Sequence, residues 1–184
     1  LAVMDRHPSL PAAIRAQAES TLAIVSRRNG DHDSAVRHAQ SAASLAQESN
    51  DPERMAWAHL HLFRLLIDVG PIDKVLVALP AVRRSVAKAG TNQSSAYLHT
   101  CVSVLEGQIG RLDEARRHCD IADSLLERSA NTWLTASSLV NRGCIACLTC
   151  EFDKATTLLR SAREMAHRSG HASLVHAADA SNGH

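Results

Sequence analysis

Gly30, Gly70, Gly110 and Cys150 stand 40 residues apart, and an aspartate follows each by three: Asp33, Asp73, Asp113 and Asp153. Ala35, Val75, Ala115 and Ala155 come two residues later, and the same phase continues through Ala42, Val82, Ala122 and Ala162. A fixed period of this length specifies a unit too small to bury its own apolar side, which must therefore stack on copies of itself. Four units fit, 11–50, 51–90, 91–130 and 131–170, as a single array over 1–184 with part-helices at 1–10 and 171–184. Ala2 shares the phase of Ala42, and residues from Ala172 share that of a fifth first helix. The pattern thus runs off both ends, as expected of an excerpt from a longer array, with Ser181-Asn182-Gly183 as a frayed tail.

The third unit shows what is repeated. Leu98, Val102, Leu105 and Ile109, at spacings of four, three and four, make one apolar stripe on a 3.6-residue period and predict a helix from Ser94 to Ile109. Gly110 can take the left-handed conformation that ends it. A second helix is predicted from Leu112 to Arg128, with Ala115, Cys119, Ala122, Leu125 and Leu126 inward. By phase, Pro11 starts a helix to Arg28, Asn29-Gly30 turns, and a second helix reaches Glu48. Asp51 caps a helix with Pro52 at its first position, running to Val69, and Asn131 caps one running to Thr149. A last helix runs from Phe152 to about Arg168. The recurring aspartates are expected to cap every second helix and to face the positive end of its dipole. Pro80 falls mid-helix, where a lost hydrogen bond and a clash with the Leu76 carbonyl predict a kink or break.

Composition agrees. Hydrophobic residues make up 45% but aromatics only 3%, so alanine, leucine and valine carry the apolar content. That suits close helix packing and not a β-sandwich. The net charge of +1, with acids and bases interspersed, gives no field for nucleic acid or an anionic membrane. No apolar run approaches the roughly 20 residues that span a bilayer, and no secretion signal is visible. Five cysteines, an odd number, are expected to be reduced thiols in a cytoplasmic protein.

Two antiparallel helices closed by Gly-x-x-Asp-x-Ala resemble the tetratricopeptide repeat. The matching segments are Gly30 to Ala35, Gly110 to Ala115 and the degenerate Cys150 to Ala155, with Ala42, Ala122 and Ala162 at the family's small position and Leu22 and Leu62 at its first-helix leucine. The resemblance covers about residues 11–170. It departs in its 40-residue period against the usual 34. Glu19, His59, His99 and Leu139 stand where the family has bulky aromatics, and Asn50, Gly90, Ala130 and Gly170 where it has proline. Long, alanine-rich repeats of this kind look like the helical arms of large bacterial regulators, an analogy of fold and not of function. The resemblance implies an all-α, right-handed superhelical solenoid of antiparallel helix pairs.

It also implies a site. In the family the first helices line a concave groove that takes a peptide or partner domain. By position the lining is Gln17, Ser20, Ile24, Arg27 and Arg28, then Trp57, Leu60, Arg64, Ile67 and Asp68. It continues with Tyr97, Thr100, Val104 and Gln108, then Val140, Cys144, Cys147 and Leu148. Trp57 and Tyr97 would be anchors and the arginines carboxylate receivers; the alternative is that both rings pack against neighbouring helices. The expectation is a non-enzymatic interaction module with a protein or peptide partner, no cofactor, no metal and no nucleic acid. An effector-sensing or self-associating regulatory arm is the rival.

Other chemistry is weakly signalled. Cys144, Cys147 and Cys150 form C-x-x-C-x-x-C, a spacing that can hold zinc or an iron–sulfur cluster, or simply pack as small apolar side chains. His59 and His61 point to different sides of one helix. The sequence holds no Gly-x-Ser-x-Gly elbow, phosphate-binding glycine loop or His-Glu-x-x-His pair. Arg27-Arg28, Arg83-Arg84 and Arg116-Arg117 fall in different phases and make no basic stripe.

Overall fold

The computed structural model describes residues 10–127, 129–170, 174, 175, 178 and 179, and of Arg28 only the backbone. The part-helix expected at the amino end, Leu10 apart, and the Ser181-Asn182-Gly183 tail lie outside these. The described residues are all-helical, with eight helices: α1 (Ala12–Arg28), α2 (His32–Glu48), α3 (Pro52–Val69), α4 (Ile72–Ala89), α5 (Asn92–Gln108), α6 (Leu112–Leu126), α7 (Thr132–Leu148) and α8 (Phe152–Arg168). Leu174, Val175, Ala178 and Asp179 are helical too. The chain divides into two compact units, Leu1–Ser94 and Ser95–His184.

In the first unit α2 packs between α1 and α3. Ala16, Ala43, Ala46 and Ala58 form one buried cluster, and Ala23, Ala35, Ala39 and Leu65 another. Every buried residue of α2 is an alanine, and its longer Val36 and Leu45 pack half-buried at the edges of the two clusters. α3 touches α1, α2 and α4, and its Leu60 and Phe63 are wholly buried. In the second unit Ala115 and Cys119 of α6 pack on Ile145 of α7. Val140 of α7 meets Leu159 and Ala162 of α8, with Ala178 beyond.

Burial repeats with the sequence. Ala16, Ala56, Ala96 and Ala136 are 0–2% exposed, and Ala35, Val75, Ala115 and Ala155 are 0–3% exposed. Sequence phase therefore corresponds to depth. Volume compensates within a unit: a Cβ on Gly143 would lie 2.7 Å from the Leu159 side chain, so glycine there makes room for leucine. The positions where the resembled family carries aromatics are filled differently. Glu19 meets His38 at 2.7 Å (Oε2 to Nδ1), and His99 meets His118 at 2.7 Å (Nδ1 to Nδ1). Each pair joins the two helices of a hairpin across the same 19-residue separation.

The helix ends follow local chemistry. Asp51 accepts from the Glu53 and Arg54 amides at 3.0 and 3.1 Å, and Asn131 from Leu134 N at 3.1 Å, as predicted. The recurring aspartates do not cap. Asp33, Asp73, Asp113 and Asp153 are each the second residue of their helix, whose N-caps are Asp31, Pro71, Arg111 and Glu151. One turn in, they still meet the dipole's positive end. Of the four caps only Asp31 accepts a side-chain bond, from Ser34 N at 3.0 Å. Nor does Pro80 break its helix: α4 runs unbroken through it. Pro80 is exposed and Leu76 is half-exposed, so water can take up the carbonyl that the missing N–H leaves.

The turns use left-handed backbone at Gly30, Gly90, Gly110 and Gly170, and also at Asn50 (φ 53°) and Cys150 (φ 59°). Gly70 is extended (φ −90°, ψ 160°) because Pro71 follows it.

Candidate functional site

The first helices of the first unit bring an aromatic ring, an imidazole, two guanidiniums and a carboxylate together. On α3, Trp57, His61, Arg64 and Asp68 follow at spacings of four, three and four and so share one face. The Trp57 and His61 rings lie 5.8 Å apart, tilted by 50°. Arg64 reaches Asp68 one turn on, Nε to Oδ1 at 3.1 Å and Nη2 to Oδ1 at 3.0 Å. From α1, Arg27 Nη1 reaches the other oxygen, Oδ2, at 3.4 Å. Asp68 is thus shared by two arginines from neighbouring first helices.

His61 completes the cluster. Burial lowers its pKa to about 4, and the positive charge of Arg27 adds to the effect. The imidazole is neutral at pH 7 and sits beside Trp57 as a flat, largely apolar surface. The cluster carries two positive charges against one negative. It can receive a further carboxylate through guanidinium N–H donors, with the half-buried Trp57 ring as an apolar contact beside it.

The remaining expected lining residues divide. Gln17 and Arg27 are exposed, and Ser20, Ile24, Trp57 and Arg64 are half-buried. The side chain of Arg28 lies outside the described residues. Leu60 and Ile67 are buried, at 0% and 4% exposed, and therefore belong to the core and not to a lining. The reason is that α3 is covered on more than one flank, so its apolar positions on both sides are enclosed.

In the second unit Val104 and Cys144 are half-buried and Gln108 is exposed, whereas Tyr97, Thr100 and Val140 are buried. Tyr97 packs against Trp133 of α7, ring centroids 5.0 Å apart and tilted by 59°, the neighbouring-helix packing that the sequence left as its alternative. The Thr100 hydroxyl donates to the Ala96 carbonyl at 2.9 Å, and the Thr100 carbonyl accepts from Asn141 Nδ2 at 3.1 Å.

His61 is the member that sequence reasoning passed over. Its neighbours on the face are Trp57 at i−4 and Arg64 at i+3, and not His59 two residues away. Among the described residues no group of three histidine, cysteine or acidic side chains comes together to hold a metal ion. Cys144 and Cys147 are half-buried in the α7–α8 packing, and Cys150 is exposed at the turn.

A cleft of about 110 Å³ lies in the second unit, lined by Arg116, Cys119, Asp120, Arg142, Ile145, Ala146, Glu151 and Lys154. Its charges are already matched: Arg116 and Lys154 on Glu151, and Arg142 on Asp120 and Asp123. Burial pushes the Cys119 thiol up to about 11, so it is not a nucleophile at neutral pH.

No family model matches the chain, and no curated protein matches it either.

Proposed function

We propose that this chain is a non-enzymatic protein-interaction module, of the tetratricopeptide kind, whose hairpins stack as a right-handed solenoid within a larger regulatory protein. It binds an extended peptide or partner segment along the first helices, with Trp57 as the apolar anchor and Arg27 and Arg64 as receivers of an acidic side chain. The observation that carries this reading is Asp68 shared by Arg27 and Arg64 on the face that also presents Trp57. The shared carboxylate holds both guanidiniums in place before a partner arrives, which lowers the ordering cost of binding.

Selection of a random-peptide display library on the whole chain tests it. The selected peptides should pair an acidic residue with a nearby aliphatic or aromatic one. Their affinity should fall about tenfold or more for Trp57→Ala and for Arg64→Ala, the level of a hot-spot residue. Peptides that bind both variants as tightly as the parent would refute the reading.

A further inference from the structure

The outward side of α4 differs from that of the other described second helices, α2, α6 and α8. Val77 is 81% exposed and Leu76 49% exposed, beside exposed Pro80 and Ala81. At the same phase of the other repeats Arg37, Arg117 and Thr157 stand in place of Val77, and Gln40, Asp120 and Arg160 in place of Pro80. Among the described residues only the repeat 51–90 turns an apolar strip outward here. The buried positions of the helix, Val75, Val82 and Val86, lie on its opposite side.

The strip is also self-complementary. Asp73, Val77, Pro80 and Arg84 follow at spacings of four, three and four and so form one line along the helix. Reversal about a point between Ala78 and Leu79 exchanges Asp73 with Arg84, Val77 with Pro80, and Leu76 with Ala81. Asp73 and Arg84 are exposed, about 16 Å apart along the axis at 1.5 Å per residue, and among the described residues neither has an ion-pair partner. An antiparallel copy of the same helix therefore meets apolar with apolar at the centre and acid with base at both ends. An isologous two-fold contact requires this symmetry of a surface.

We propose that α4 is a homodimer contact: two copies of the chain pack their α4 helices antiparallel, with Val77 against Pro80 of the partner copy and Asp73 against its Arg84. This surface is separate from the α1–α3 cluster, and its failure would leave the peptide-binding reading standing. One helix face is small beside the roughly 800 Å² per partner of a standard interface, so the dimer is weak, with a micromolar Kd.

Sedimentation equilibrium of the whole chain, from about 1 to about 500 µM, reads it directly. The parent should pass from monomer to dimer across that range. Val77→Glu should weaken association at least tenfold, since it buries two unpaired charges per dimer. Asp73→Arg alone should weaken it through two like-charge contacts, and the double exchange Asp73→Arg with Arg84→Asp should restore it to within a few-fold of the parent. These positions are exposed, and circular dichroism should show the helix content unchanged. A chain that stays monomeric throughout overturns the proposal. So does a dimer indifferent to Val77→Glu, or a double exchange as weak as the single one.

Discussion

Cys150 occupies the one intra-hairpin turn at which a non-glycine residue is held in left-handed backbone. Its φ is 59°, while Gly30 and Gly110, three periods and one period earlier, hold 77° and 80°. The turn is the same in kind: Cys150 N donates to the Cys147 carbonyl at 3.0 Å, and Glu151 N to the Ala146 carbonyl at 2.8 Å. In the third unit Gly110 N donates to Gly107 O, and Arg111 N to Glu106 O. A β-carbon in this region costs about 1–2 kcal/mol. Glycine returns about 0.5–1 kcal/mol of that through the greater freedom of its unfolded chain. The Cys150 side chain is exposed, so little packing is lost. Cys150→Gly should therefore stabilise the chain by about 0.5–1 kcal/mol, a rise in Tm of about 1–4 °C at this length. Gly110→Ala is the mirror experiment. No atom lies within 4 Å of the added Cβ, so its cost is purely conformational and should be similar with opposite sign. Urea unfolding under reducing conditions measures both. If Cys150→Gly is neutral or destabilising while Gly110→Ala costs about 1 kcal/mol, the strain assigned to the fourth turn is not there.

Gly143→Ala should destabilise by about 1–2 kcal/mol despite the better helix propensity of alanine, because its Cβ runs into Leu159; adding Leu159→Ala should give less than the summed loss. Phe63→Ala, at a wholly buried site touched on several sides, should cost about 3–5 kcal/mol in a thermal or urea melt. Asn131→Ala removes the cap of α7 and should cost about 1 kcal/mol, with Asn131→Ser largely neutral. For His61 the folded pKa lies below the ordinary value, so the unfolded chain binds the proton first as pH falls. Stability should drop between about pH 6.5 and 4, by on the order of 3 kcal/mol, and level off below; His61→Leu should flatten that part of the profile.

The helices were most legible where a boundary is written in strong local chemistry. Asp51-Pro52 starts α3, Asn131 starts α7, and Gly110 ends the turn after α5 with a φ of 80°. The aspartate phase was legible but its role was not. A two-residue shift separates an N-cap from the first turn, and periodicity cannot resolve it, since both positions favour an acid. At Pro80 the expected break is absent, since whether an internal proline ends a helix depends on whether the orphaned carbonyl can reach water, a tertiary fact. At the site, phase put Trp57 and Arg64 on one face and Arg27 on the adjoining helix. It could not say that Leu60 and Ile67 are enclosed, because helical spacing gives one direction per residue and not the number of neighbours around the helix. Tyr97 went the same way, spent on Trp133 and not on solvent.

The central claim is that the face shared by α1 and α3 is where a partner lands. Backbone amide chemical shifts of the whole chain, followed as a display-selected peptide is added, test it residue by residue. The largest changes should fall at Ile24, Arg27, Trp57, His61 and Arg64. Changes concentrated on the outward side of α2 or α4, with those five unmoved, would contradict it.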